Sequence, residues 1–364
     1  MGSVNANDSM MPARKGLIKR ITDYFAESNQ GKDREKFDFG IIGGPHYSNN
    51  TKLGLGLVAA GLYYTTPHDT LMPPSNLSLY ADLSTAGFYM IGLRGIHILP
   101  QQRYRWVYDV SFSFSPTNFW GTGYDMGNDD DNESTMDRLD VQVSTSFLFR
   151  LNKGFYVGPT VAYNWMTTRN VTRPGLVDNL YASASDIGAG LMAEYDTRDV
   201  MTAPHRGMYL SLTQTVRKQL FNRRHWFTTT NFVMNGYLPA WRGATVAAQL
   251  SGVLQMGRLS WNDLAMLGTT HSMRGYYYGR YRDRNKLETQ VELRQHIYRR
   301  NGVVAWVGAG TVFPEFGELR LKKVLPNYGV GYRWEFKKNV NIRIDYGFGK
   351  SGQSGFIFNI EEAF

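Results

Sequence analysis

The chain has no cysteine among its 364 residues, so no disulfide staples it. An oxidising compartment permits disulfides without requiring them. No run of 18 apolar residues occurs, which excludes an ordinary transmembrane helix. A charged n-region and an apolar h-region are both missing at the start; "SVNA" ahead of Asn7 resembles only the small-residue end of a signal peptide. There is no Gly-x-Ser-x-Gly elbow and no phosphate loop, and the 7 histidines show no metal-ligand spacing. His271 and Ser272 are adjacent, whereas a base must reach a hydroxyl from a separate element. The expectation is a non-enzyme with no catalytic residue, no metal site and no cofactor. The net charge of +9 has no recognised nucleic-acid module behind it. Arginine in excess suits a polar lumen or anionic lipid headgroups instead. The negative mean hydropathy reads as soluble, but a membrane β-barrel gives the same value because every second residue faces a polar interior.

What is present is period-two alternation. Residues 104–114 set Tyr104, Trp106, Tyr108, Val110, Phe112 and Phe114 against Arg105, Asp109, Ser111 and Ser113. Residues 139–151, 245–256 and 340–348 repeat the pattern, the signature of half-buried strands. Many runs exceed ten residues, longer than strands of soluble sheets and matched to the ~9–11 residues that cross a bilayer. Sixteen runs can be counted, the first at 38–47 and the last at 355–364. An even number suits a closed antiparallel barrel, which leaves no unpaired edge in lipid. Long connections at 116–137 and 259–285 alternate with tight turns at 151–154 and 337–339, which puts the long ones outside and the tight ones on the periplasmic side. The expected fold is all-β: a sixteen-stranded antiparallel transmembrane barrel over 37–364. Residues 1–36 form a periplasmic segment in which Leu17, Ile18, Ile21, Tyr24 and Phe25 lie at helical spacing beside Lys15, Lys19 and Arg20. That short amphipathic helix would lie on a membrane, enter the lumen or pack on the barrel.

Four stretches go further than a generic barrel: "YDTRDVMTAPHRGMYLSL" at 195–212, "FWGTG" at 119–123, "MRGYYYGRYRD" at 273–283 and "GFIFNIEEAF" at 355–364. In this order they resemble the BamA superfamily of outer-membrane barrels, the bacterial surface antigen family. The resemblance implies an integral protein of the bacterial outer membrane that helps insert or fold other outer-membrane proteins, or secretes proteins. It implies that Arg274, Gly275, Tyr276, Arg280, Tyr281, Arg282 and Asp283 form a loop folded into the lumen. The turn motif is carried by Asp196, Arg198, Asp199, Pro204 and Gly207. Only 36 residues precede the first strand, fewer than the ~40 a self-standing domain needs, so this resembles a member without POTRA repeats, relying on partner subunits or lipoproteins for client capture. Where the family often has an acid, "WVGAG" at 306–310 puts Gly308.

A buried arginine needs a carboxylate partner. Alternation turns three candidates inward for Arg274: Glu292, Asp345 and Glu335. The seam between the first and last strands is the second candidate site. Gly43 and Gly44 are conformationally loose there and Pro45 lacks an N–H. Phe356, Phe358 and Phe364 share one face of the closing run. An openable seam would let a client strand pair with its edge; alternatives are a plugged scaffold within an envelope complex, or a translocation pore. The acids of "DMGNDDDNES" at 125–134 do not match an EF-hand, and a solvated loop is the simpler reading over a cation site.

Overall fold

Alternating residues sort to opposite faces of sixteen antiparallel strands that close on themselves. The structure, a computed structural model, describes residues 38–48, 50–66, 74–176, 182–220, 225–337, 339–360 and 362–364. The helix expected within 1–36 lies outside the described residues. The strands are β1 (Asp38–Ser48), β2 (Lys52–Tyr63), β3 (Ser75–Ser84), β4 (Tyr89–Ile98), β5 (Tyr104–Phe119), β6 (Ser134–Asn152), β7 (Phe155–Arg169) and β8 (Ser183–Asp196). They continue with β9 (Gly207–Gln219), β10 (Trp226–Pro239), β11 (Ala244–Gly257), β12 (Asn285–Tyr298), β13 (Asn301–Phe313), β14 (Leu325–Lys337), β15 (Val340–Phe348) and β16 (Ser354–Ile360). Each pairs with its sequence neighbour, and β16 returns to β1. Among the described residues, one α-helix, α1 (Tyr124–Gly127), interrupts the β5–β6 connection. Ala265–Met266 and Arg282–Asp283 form a small ribbon inside the β11–β12 loop.

The barrel is inverted relative to a soluble protein. Leu55 on β2, Leu83 on β3, Leu191 on β8 and Val307 on β13 are 51–64 % exposed, although nothing aqueous would favour them there. The buried side chains at alternate positions are polar: Asp140, Thr160, Asp186, Arg217, Thr229, Gln255, Gln290 and Glu292. That is the partition expected when lipid lies outside and a polar lumen inside. Aromatic clusters mark both interfaces. Tyr89, Phe112 and Phe114 meet at the extracellular end, and Tyr104, Phe147 and Phe149 at the periplasmic end.

Two boundaries differ from the sequence expectation. β5 and β6 pair as far as Phe119 and Ser134, so the loop shrinks to 120–133. Residues 115–118 and 134–137 have no apolar alternation because the hairpin there has risen above the hydrocarbon layer. Its tip is held instead by Phe119 and Met136 packing with Met166 and Trp261. The closing strand is also shorter than 355–364. It ends at Ile360, and residues 362–364 have left the sheet.

Candidate functional site: the lumen loop and the seam

The β11–β12 loop descends against the inner wall. Gly275 has φ +104°, a backbone state that L side chains rarely adopt, and a Cβ there would stand 2.6 Å from the Gly347 carbonyl oxygen on β15. A Cβ on Gly347 would lie 2.2 Å from the Arg274 oxygen. Two glycines therefore let loop backbone meet wall backbone directly. This contact presses Arg274 into a site where its side chain is fully buried.

Arg274 Nη1 donates to Asp345 Oδ2 at 2.7 Å, and Nη2 donates to Glu292 Oε2 at 2.6 Å and to Gln290 Oε1 at 3.2 Å. Its guanidinium lies 3.5 Å from the Trp306 ring centroid. Both carboxylates are shared with the wall. Arg294 Nε is 2.7 Å from Glu292, and Arg333 Nη1 is 2.6 Å from Asp345. Arg343 Nη1 stands 3.6 Å from Asp345, and Glu362 pairs with Arg333 at 2.8 Å and with Arg294 at 3.8 Å. Four guanidiniums (Arg274, Arg294, Arg333, Arg343) thus face three carboxylates (Glu292, Asp345, Glu362).

Of the three acids expected beside Arg274, the structure brings Glu292 and Asp345 to it together. Glu335 does not reach it. It sits nearer the periplasmic end of β14, where its Oε1 accepts from the Asn339 N–H at 2.8 Å. Gly308 lies opposite Gln290, and a Cβ there would stand 2.6 Å from Thr289 O and 3.0 Å from Gln290 Cβ. Sequence reasoning missed Trp306 and Asn327, whose side chains bond to each other at 2.9 Å; Asn327 Nδ2 also donates to the Arg274 carbonyl. Both faces of β13 are apolar here, so alternation gave Trp306 no inward signal.

The rest of the loop motif divides between lumen and outer cap. Tyr276 is buried; its hydroxyl donates to Pro326 O at 2.5 Å and accepts from Lys350 N–H at 2.7 Å. Tyr281 packs beside it, and the Tyr281 hydroxyl accepts from Gln353 Nε2 at 3.2 Å. Arg280 turns outward, donating to Gly127 O and pairing with Asp130. Arg282 is buried over the Phe119 ring and donates to Gly279 O; burial, with Arg138 near, pushes its pKa down to about 9. Asp283 is buried, accepts the Arg284 N–H, and has its pKa raised by that burial. Two acids of the acidic loop are paired with cations: Asp125 meets Lys323 at 2.7 Å and Asp130 meets Arg280. The outer mouth is therefore capped by three connections tied together.

Below, the turn motif closes the periplasmic mouth. Arg198 grips Asp196 through two bonds of 3.0 and 2.7 Å and lies over the Tyr209 ring. Asp199 Oδ1 accepts the N–H groups of Val200, His205 and Arg206. Burial raises its pKa, and those backbone donors outweigh it, leaving the carboxyl below its usual range. Gly207 has φ +100° and a Cβ there would strike Thr197 O. Pro204 is buried beside it. Thr202 reaches across the mouth to donate to Asn339 O at 2.7 Å.

Among the described residues the seam shows the least registered pairing in the barrel. β1 matches β2 at 11 positions and β15 matches β16 at 7, whereas among the described residues β1 meets β16 in register at Tyr47–Phe358 alone. Phe356 adds a tilted contact with Tyr47 at 5.7 Å. Gly43 and Gly44 sit opposite Leu57 and Gly56 of β2, and Pro45 opposite Leu55, which ties all three to the hairpin. Phe364 does not share the face of Phe356 and Phe358. It turns into the lumen, stacks with Tyr237 of β10 at 6.3 Å and lies under the Arg294 guanidinium. Ala363 O pairs with His271 Nδ1 at 2.7 Å, and Arg294 donates to Phe364 O. The same inward turn takes the chain away from β1 and shortens the seam.

No curated protein matches the chain. Among solved structures, BamA from Haemophilus ducreyi lacking POTRA domains 1–3 superposes with a TM-score of 0.59 at 11 % identity, over 93 % of this chain and 78 % of that one. CdiB from Acinetobacter baumannii superposes with a TM-score of 0.56 at 13 % identity, over 90 % of this chain and 60 % of CdiB. CdiB from Escherichia coli gives 0.57 at 11 % identity, over 89 % and 63 %. At these identities the likeness is one of fold. The Omp85 superfamily domain matches residues 95–364, from within β4 to Phe364, and β1 to β3 complete the same closed barrel. With most of its length matched and a sixteen-stranded barrel around an inward loop, the chain belongs to the Omp85 superfamily and is an integral outer-membrane protein.

Proposed function

We propose that this barrel assists the insertion of outer-membrane proteins by offering β1 at its seam to an incoming client strand. The observation that carries the reading is that one registered pair joins β1 and β16 among the described residues. A client strand gains main-chain hydrogen bonds by extending an exposed sheet edge. Among the described residues, separating β1 from β16 forfeits less registered pairing than separating any other two neighbours. The inward-turned residues 362–364 and the loop contacts at Gly347 lie beside this edge, so both would report its state. Partner subunits would supply client capture.

The test is a disulfide lock between Cys residues placed at Tyr47 and Phe358, the pair in register. Depletion of the protein in its host should lower the outer-membrane content of β-barrels. Re-expression of the locked form should fail to restore it, and reduction of the disulfide should recover it. Full restoration by the locked form would sink the seam-opening reading.

A second reading is favoured by the bridges across the interior, from Thr202 to Asn339 and from Phe364 to Tyr237. In it the barrel is a plugged scaffold within an envelope complex. Unchanged barrel content on depletion, with loss of a co-purifying complex, would support it. Large planar-bilayer conductance in the unaltered protein would instead point to a pore.

A further inference from the structure

On the periplasmic rim two turns converge that neither the loop nor the seam uses. The β4–β5 turn ends at Arg103, and the β6–β7 turn carries Arg150, Leu151, Asn152, Lys153 and Gly154. The Arg150 N–H donates to Arg103 O at 2.8 Å, which locks the two turns together through backbone. They enclose an open cleft of about 590 Å³ with Tyr156 among its lining residues. Arg103, Arg150 and Lys153 all line it, all are exposed, and none pairs with an acid among the described residues. Among the described residues no carboxylate lines the cleft. The acids nearest in the fold are engaged elsewhere: Glu194 faces Arg105 at 3.6 Å and Asp196 is held by Arg198 at 2.7 Å.

The cluster adjoins the hydrocarbon-facing surface. Leu151, itself in the lining, is 66 % exposed, and Phe149 and Phe147 continue the same outward face up β6. Tyr104 stacks on Phe147 and meets Phe149 edge-on, forming the aromatic belt that marks headgroup depth. Arg150 has the inward parity of Leu148 and pairs across the hairpin with Tyr156, so the cleft straddles the rim: three cations without an acid partner among the described residues stand at its mouth, and the outward apolar track of Leu151 and Phe149 adjoins it. Guanidinium forks match phosphate oxygens, and lysine adds a point charge.

We propose that this cleft binds the phosphate of an anionic phospholipid from the periplasmic leaflet. Arg103, Arg150 and Lys153 take the headgroup, and Leu151 and Phe149 take the adjoining acyl chain. A basic residue near an anionic headgroup contributes roughly fivefold in affinity, so three give about a hundredfold preference over a neutral headgroup.

The test delivers phosphatidylglycerol or phosphatidylcholine to the purified barrel in neutral detergent and counts retained lipid by native mass spectrometry. Phosphatidylglycerol should be retained about a hundredfold better, and added salt should erode the preference. Lys153→Gln alone, at an exposed turn position, should lower retention about fivefold. Arg103→Gln with Arg150→Gln and Lys153→Gln should abolish the preference, with a folded state checked by heat-modifiable gel migration. Equal phosphatidylglycerol retention by the single variant and the unaltered protein would overturn the proposal. So would displacement of the lipid by an equal concentration of inorganic phosphate, which would identify a free-anion site.

Discussion

Replacing Arg274 by Ala separates two accounts of the lumen network. Removing one partner of a buried ion pair ordinarily costs about 3–5 kcal/mol because the other charge is left bare. Here Glu292 keeps Arg294 at 2.7 Å and Asp345 keeps Arg333 at 2.6 Å. With Arg274 gone, three guanidiniums still face three carboxylates, so no carboxylate is orphaned. What is lost is three charge-assisted hydrogen bonds, to Asp345, Glu292 and Gln290, and the contact with Trp306. Each such bond is worth about 1.5–3 kcal/mol, offset in part by the desolvation Arg274 no longer suffers. The expected cost to loop docking is therefore about 3 kcal/mol, a shift of roughly a hundredfold in the docked-to-released ratio, with the barrel wall little affected. Hydrogen exchange of the Gly275–Tyr281 amides reads this directly. They should lose about a hundredfold of protection while the β13–β14 ladder keeps its own. Unchanged loop protection would refute the idea that Arg274 holds the loop. Collapse of β12–β15 protection with it would refute the idea that the wall is independently balanced.

Other outcomes follow from the same geometry. Gly275→Ala forces a methyl toward Gly347 O at 2.6 Å in a φ +104° backbone; it should weaken docking by about 1–3 kcal/mol, read by protease cleavage within 272–284. Asp199→Ala strips the acceptor of three N–H groups. Because that carboxylate is partly open to water, about 1 kcal/mol is expected, seen as faster exchange at Val200, His205 and Arg206. Its folded pKa lies below the usual value, so this contribution is complete above about pH 4 and is lost as pH falls through the folded pKa. Relative to their intrinsic exchange rates, the same amides should therefore lose protection in acid only when Asp199 is present. Glu362→Gln removes the carboxylate shared by Arg333 and Arg294; a spin label placed at Ala363 should gain mobility, and an unchanged spectrum would show that Phe364 alone seats the segment.

Alternation made the barrel legible because lipid outside and polar lumen inside impose period two on every strand, as Tyr104 to Phe114 against Arg105 to Ser113 displays. It failed where that contrast vanishes. On β13, Val304 and Trp306 face inward as apolar side chains, so the residue under the Arg274 guanidinium gave no polar signal. At 115–119 and 134–137 the strands continue above the lipid, where either face may be polar. For Arg274 itself, parity correctly turned Glu292, Asp345 and Glu335 to the lumen but carries no information on height along the barrel axis. Height depends on strand tilt and on where the loop seats, which is fixed by the Gly275–Gly347 backbone contact.

Phe364 shows the complementary limit. Its parity matches Phe356 and Phe358, so a continuing strand would carry it to the lipid face. Parity holds only while the chain remains in the sheet, and β16 ends at Ile360. What draws the following residues inward is long-range: Arg333 and Arg294 on Glu362, His271 on Ala363, and Tyr237 on Phe364. The same cations that balance Glu292 and Asp345 therefore also hold residues 362–364 off the edge of β1. Glu362 thus joins the closing segment to the lumen charges, and the contacts that seat residues 362–364 involve β10, β12, β14 and the loop, which no local pattern could have placed together.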